Sequence, residues 1–86
     1  MDLSQGWVDC EVKKGLFDSE LAVVIQDSDG HELSLFVDKA LVDSDATPKR
    51  LKVYFQHSDP PRVLLPSESF ETGSRWVDVK RIPQLA

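Results

Sequence analysis

The stretch from residue 20 to residue 42, ELAVVIQDSDGHELSLFVDKALV, constrains the fold more than any other part of the chain. It contains two apolar segments, 21–25 and 33–37, separated by a polar turn that includes Asp29 and Gly30. The first segment is rich in β-branched residues, the second alternates apolar and polar residues, and Asp-Gly supplies the positive φ angles that a tight hairpin turn requires. The stretch therefore predicts a β-hairpin.

Further segments of the chain also have the two-residue period of strands, and turns rich in glycine, proline, aspartate and serine separate them. The predicted strands are 7–13, 51–56, 62–65 and 75–81, and one helical turn each is predicted over 38–42 and 67–70. Leu16 and Phe17 are expected to close one end of the core. The pattern predicts a mostly β fold, a small antiparallel five- or six-stranded barrel or roll, SH3-like in preference to OB-like, with at most one or two short helical turns.

The length of 86 residues fits a single domain, residues 1–86, in which we expect order from about residue 6 to residue 82 and frayed termini. Hydrophobic residues make up 41% of the chain, which is enough for a compact core. Cys10 is the single cysteine, so no disulfide can form within the chain. The chain shows neither a signal-peptide pattern nor a long apolar run, so we expect a soluble, cytoplasmic protein without membrane contact.

The formal charge of −5 is unevenly distributed along the chain. Residues 1–47 hold eleven acidic residues against three lysines, a net −8, while residues 48–86 hold seven basic residues against four acidic ones, a net +3. A basic half interleaved with aromatic residues suggests an RNA- or DNA-binding barrel as an alternative function. Its candidate residues are Lys49, Arg50, Lys52, Arg75, Lys80 and Arg81. The negative net charge weighs against a protein that follows a phosphate backbone.

Four aromatic residues fall on the polar faces of their predicted strands. They are Trp7, Phe36, Tyr54 and Trp76. Large outward aromatic side chains are typical of binding surfaces when they cluster, although a loop or a terminus can also cover them. We therefore predict that at least two of the four lie together and partly exposed, as a binding patch for a protein partner or for a second copy of the chain.

No residue set in the sequence matches a catalytic or metal-binding signature. The run from Asp27 to Glu32 lacks the third acidic ligand and the distal glutamate of a calcium loop, and Cys10, His31 and His57 fit no zinc-site spacing. The two histidines lie in predicted turns, without the nucleophile and orienting group that a hydrolase needs. We therefore expect no enzyme activity, no metal, no cofactor and no small-molecule substrate, and we interpret the protein as a non-catalytic interaction domain.

Overall fold

The structure is a computed structural model that describes residues 3–14, 18–80 and 84–85. Within them the chain forms nine strands, and one 3-10 helix, Lys39–Leu41, which Asp38 caps by accepting the N–H of Ala40. The strands are β1 Ser4–Asp9, β2 Glu11–Lys14, β3 Glu20–Gln26, β4 Glu32–Asp38, β5 Val42–Asp43, β6 Arg50–Gln56, β7 Arg62–Leu64, β8 Trp76–Asp78 and β9 Gln84–Leu85. This confirms the mostly β prediction and the helical turn after β4.

The strands are arranged in two antiparallel sheets. Sheet A has six strands in the order β8-β7-β6-β1-β9, with β5 also paired to β6, and sheet B has the order β2-β3-β4. The prediction of an antiparallel, β-rich domain is correct, but no closed barrel is detected among the described residues. The three-stranded and six-stranded sheets instead face each other across the core.

The predicted strand 7–13 changes its pairing partner at Cys10 and so does not stay in one sheet. Its first part, β1, pairs with β6, and its second part, β2, pairs with β3. Cys10 lies between them, is buried, and donates its N–H to the carbonyl of Lys49 at 2.9 Å. One continuous extended segment therefore passes from sheet A to sheet B, as predicted for the inward positions Val8, Cys10 and Val12, which all contact the core.

The core is formed by the inward residues of both sheets, and the two-residue period identifies most of them. Its buried hydrophobic residues are Cys10, Val23, Ile25, Leu33, Leu35, Val37, Leu51, Val53, Phe55, Val63, Leu65, Val77 and Val79. Each large aliphatic or aromatic side chain contributes about 1.5 to 3 kcal/mol when it is removed from water. The side-chain alternation in β3, β4 and β6 is therefore the main determinant of the fold.

The hairpin between β3 and β4 forms as predicted, but its turn is longer than a two-residue turn. Gly30 has φ +83°, whereas no residue other than glycine has a positive φ among the described residues, so Asp29 does not share this conformation. Gly30 donates to the Asp27 carbonyl and Asp27 donates to the His31 carbonyl. Oδ1 of Asp27 accepts the N–H groups of Asp29 and His31, each at 2.9 Å. The carboxylate of Asp27 therefore holds the turn together.

The connection between β7 and β8 covers the outer edge of β4. Ser34 donates its N–H and hydroxyl to the Glu71 carboxylate at 2.7 and 2.6 Å, and its carbonyl accepts the N–H of Phe70. The Ser67 hydroxyl donates to the Phe36 carbonyl at 2.6 Å. The predicted helical turn over 67–70 is wrong, because these residues use their polar groups to bind a strand edge. Covering the edge protects sheet B from pairing with other chains.

Glu71 provides a test of this edge contact. Hydrogen bonds from the Ser34 hydroxyl, and then from the Ser34 N–H, hold the pKa of Glu71 below its ordinary value of 4.5. A lowered folded pKa stabilises the protein above the unfolded pKa, and this stabilisation is lost as pH falls through the folded value. We expect Glu71→Gln to lower the melting temperature by several degrees at pH 7 and by less at pH 3. The matched control Glu68→Gln, at an exposed position, should match the unsubstituted protein at both pH values; an equal loss in both variants contradicts the edge contact.

The ends of the chain differ from the expectation of fraying in one respect. Leu85 pairs with Gly6 and Gln84 with Trp7, so β9 extends sheet A beyond β1. The last predicted strand, 75–81, is shorter than expected, since β8 covers Trp76–Asp78 only. The proposed closing residues Leu16 and Phe17 lie outside the described residues.

In the described part of the chain no helix has the length and apolarity needed to cross a membrane.

Candidate functional site

The outer face of sheet A carries a row of large side chains that crosses three strands. Trp76 of β8 is directly opposite Leu64 of β7, and Leu64 is opposite Tyr54 of β6. Tyr54 in turn pairs with Gln5 of β1, whose side-chain amide donates to the tyrosine hydroxyl at 3.2 Å. Directly opposite residues on one face of an antiparallel pair have Cβ atoms about 5 Å apart. The register therefore makes this row continuous.

Trp7 extends the row on the neighbouring strand. It pairs with Lys52, the next outward residue of β6 after Tyr54, so Trp7 and Tyr54 are diagonal neighbours. Tyr54 is 45% exposed, and Trp7, Leu64 and Trp76 are half-buried. We call the surface formed by Trp7, Tyr54, Leu64 and Trp76 the aromatic face. It brings together three of the four aromatic residues that the sequence singled out.

Cations lie directly against the indole rings of the aromatic face. The guanidinium of Arg50 is 4.6 Å from the centre of the Trp7 ring, and the Lys52 ammonium is 6.0 Å from it. The guanidinium of Arg62 is 5.0 Å from the centre of the Trp76 ring. Such cation–π contacts hold the charged groups over the rings and fix the ring orientation. The tryptophan rings of the face are thus held by contacts within the chain.

The two arginines of this surface are also paired with carboxylates. Arg50 contacts Asp43 at 3.1 Å and Arg62 contacts Asp78 at 3.4 Å. The hydrogen bond from Arg50 is the largest influence on Asp43 and holds the pKa of that carboxyl below its ordinary value. The outward positions of sheet A also include Asp9, which pairs with Arg50 in the register. The outer face therefore combines three cations (Arg50, Lys52, Arg62) with three carboxylates (Asp9, Asp43, Asp78), and its net charge is zero.

Phe36 lies on a different surface from the other three candidates. It is in β4 of sheet B, and its ring meets Phe70 edge to face, with ring centres 5.2 Å apart. Phe70 is 65% exposed and belongs to the connection that covers the β4 edge. Neither Phe70 nor Leu64 was a sequence candidate, because their placement depends on pairing between distant segments. The alternation within 62–64 shows only that Leu64 faces away from Val63.

The described cations of the nucleic-acid alternative have different surroundings. Arg50 and Lys52 lie on the outer face of sheet A, whereas Arg75 uses its Nε–H to hold the Leu65 carbonyl at 2.8 Å. Lys80 borders a groove that Trp7 also lines, Lys49 is exposed ahead of β6, and Arg81 lies outside the described residues. The nucleic-acid alternative stays a prediction.

The hairpin turn brings three potential metal ligands close together. Side-chain ligand atoms of Asp27, Asp29 and His31 lie within 4.8 Å of one another. Desolvation raises the pKa of Asp27, but hydrogen bonds from the His31 and Asp29 N–H groups and from the His31 side chain outweigh it and leave the pKa below its ordinary value. The Asp27 carboxylate therefore has a structural role in the turn. The expectation of no metal site stays a prediction.

A groove of about 590 Å³ lies beside the end of β3. It is bordered by residues 7–11 of the β1–β2 segment and by residues 24–27. Buried residues of the core, among them Ile25 and Val79, also line it. The pairing of β2 with β3 ends at Glu11 and Val24, so the groove lies where β3 continues beyond its partner.

Comparison with known proteins gives no match: no protein-family model fits the chain, and neither a curated protein nor a solved structure is significantly similar to it. The function is therefore inferred from the aromatic face and from the groove. The strand register fixes the positions of the four residues of the aromatic face.

Proposed function

We propose that the protein is a non-catalytic interaction domain that binds a protein partner through the aromatic face. The supporting observation is the register that aligns Trp76, Leu64 and Tyr54 across three strands and places Trp7 diagonally beside them. Tryptophan, tyrosine and arginine are the residues that most often carry binding energy at protein interfaces. Here arginines are held over both tryptophan rings, which lowers the entropy cost of ordering them in a complex.

The balance of charge favours a protein partner over a nucleic acid. The affinity of nucleic-acid binding comes largely from cations that replace counterions along the phosphate backbone. On the outer face of sheet A the number of carboxylates equals the number of cations, and Arg50 and Arg62 are already paired with aspartates. A mixed surface of this kind suits a partner with charges of both signs around an apolar centre.

Site-specific crosslinking tests this proposal. A photoreactive phenylalanine analogue at position 64, in the centre of the aromatic face, should crosslink a discrete protein species in the source cells. That species should disappear when Trp76→Ala and Tyr54→Ala are added, while the melting temperature changes by only a few degrees because both side chains lie outside the core. The same analogue at Glu68, on the connection over sheet B, is the matched control.

The outcomes separate the possible partners. Sedimentation equilibrium of the purified protein at rising concentration shows whether the chain associates with itself. Self-association identifies the crosslinked species as a second copy of the chain, and its absence identifies that species as another protein. If position 64 crosslinks nothing beyond the Glu68 control, the proposal is wrong. Salt-sensitive binding of a fluorescent single-stranded oligonucleotide, lost on Lys52→Gln, would replace it with the RNA- or DNA-binding alternative.

A further inference from the structure

Two segments of consecutive residues border the groove. One side consists of five consecutive residues, 7–11, and the other of four, 24–27. At the rise of an extended strand, five residues span about 13 Å. The volume of about 590 Å³ lies within the range of functional binding pockets. A short extended segment of about this length can therefore lie beside residues 7–11.

The floor and the sides of the groove have different chemistry. Cys10, Ile25 and Val79 are buried residues of the core that reach the floor, and Val8 is partly buried beside them. The outward residues of the same segments form the sides. In the register Glu11 of β2 is opposite Val24, and Glu32 of β4 is opposite Gln26. One carboxylate therefore lies on each side of β3. An apolar strip thus runs between acidic margins.

The described lining of the groove is strongly acidic. It contains four carboxylates, from Asp9, Glu11, Asp27 and Glu32, against one ammonium, from Lys80. Glu11 and Glu32 are exposed, and neither forms an ion pair within the described ranges. Asp9 also belongs to the outer face of sheet A, and without it the described lining still has three carboxylates against one ammonium. This excess of negative charge selects for an occupant with positive charge.

We propose that this groove binds an extended peptide segment of a partner protein in which basic and apolar residues alternate. Successive side chains of an extended chain point to opposite sides, so apolar residues contact the floor while lysine or arginine residues reach the acidic margins. The site shares Trp7 with the aromatic face and Asp9 with the outer face of sheet A. The proposal is independent of the proposed function.

The test uses the whole protein and the probe peptide acetyl-Lys-Val-Lys-Val-Arg-amide. Titration followed by amide NMR should shift the signals of residues 24–27, which belong to the groove alone, and leave those of Tyr54, Leu64 and Trp76 in place. Binding should weaken as salt is added. An acidic peptide, acetyl-Glu-Val-Glu-Val-Asp-amide, should not bind. Spermine, a flexible cation without apolar side chains, should bind at least tenfold more weakly than the basic peptide.

Matched variants distinguish binding that depends on the charge of the groove from binding that depends on its shape. Each surface ion pair is worth about 0.2 to 1 kcal/mol, so the double variant Glu11→Gln with Glu32→Gln should weaken binding about twofold to thirtyfold. Glu68→Gln together with Asp59→Asn removes the same charge away from the groove and should leave affinity within twofold. Gln26→Trp keeps the charge and fills the groove, and it should abolish binding while the melting temperature changes little, since Gln26 is exposed.

Several results would overturn the proposal. Chemical shift changes on the aromatic face alone would place the basic peptide there. Full binding by Gln26→Trp, or equal binding of spermine and the peptide, would show that charge alone attracts the probe. An equal loss of affinity in the groove double variant and in the control double variant would also show that overall charge attracts the probe. None of these outcomes bears on the crosslinking result at position 64, so the two proposals can fail separately.

Discussion

Val53→Asp is expected to unfold the protein, whereas Lys52→Asp, one position earlier, should leave it folded. Val53 lies in β6, is 2% exposed, and is surrounded by the inward residues of both sheets. Burying a carboxylate there costs several kcal/mol even after its pKa adjusts, and the packing of the valine is also lost. Domains are stable by roughly 0.05 to 0.15 kcal/mol per residue, so one such change can remove most of the stability of a chain this short.

The Lys52 control has the same backbone environment and the opposite side-chain direction. Lys52 points to the outer face of sheet A, where its ammonium is 6.0 Å from the Trp7 ring centre. An aspartate at this position stays in water and loses only this weak contact. Circular dichroism and thermal melts of both variants check the prediction. A cooperative melt for Val53→Asp together with an unfolded Lys52→Asp would mean that β6 is shifted by one residue, and every assigned face would then be reversed.

The same alternation explains why so much of the fold could be predicted from the sequence. The inward positions of β3, β4 and β6 follow from local patterns alone, because burial on one side of a strand requires an apolar residue at every second position. The Asp38-capped turn follows from a residue type with a known local preference. Such features depend on neighbours within a few positions and need no information about pairing.

What could not be predicted depends on contacts between distant segments. Cys10 lies inside a strictly alternating segment, and only the pairing of the two halves of that segment with β6 and β3 shows that it changes sheet there. Likewise, Ser67 and Glu71 bind a strand more than thirty positions away, which a local pattern cannot distinguish from a helical turn.

The candidate surfaces, too, were predictable where local patterns determine them and unpredictable where contacts between distant segments determine them. The outward direction of Trp7, Tyr54 and Trp76 is readable from alternation, but their alignment with Leu64 follows from the order β8-β7-β6-β1. The groove could not be predicted, since it lies where the pairing of β2 with β3 ends, and that pairing joins separate segments of the chain. Its carboxylates come from three segments of the chain, and the sequence shows them only as scattered acidic residues.

Cys10 is expected to react with thiol reagents at least about a hundredfold more slowly in the native protein than in the unfolded chain at pH 8. Burial, and secondarily the negative charge of Asp9, raises the pKa of the thiol from 9.0 to about 11, while Lys49 opposes the change. The thiolate is the reactive form, so a shift of this size lowers its fraction at pH 8 about a hundredfold. The side chain is also only 8% exposed, which slows access further.

The raised pKa of Cys10 also predicts how stability changes at alkaline pH. A group whose folded pKa lies above its unfolded value contributes its stabilisation fully below the unfolded value, here 9.0, and loses it as pH rises toward about 11. Labelling with a chromogenic disulfide, with and without guanidinium, measures the rate ratio, and melts between pH 8 and 11 measure the loss. Asp9→Asn should speed native labelling modestly, because it removes the smaller of the two causes. Equal labelling rates in native and denatured protein would show that Cys10 is accessible and would contradict its burial between β1 and β2.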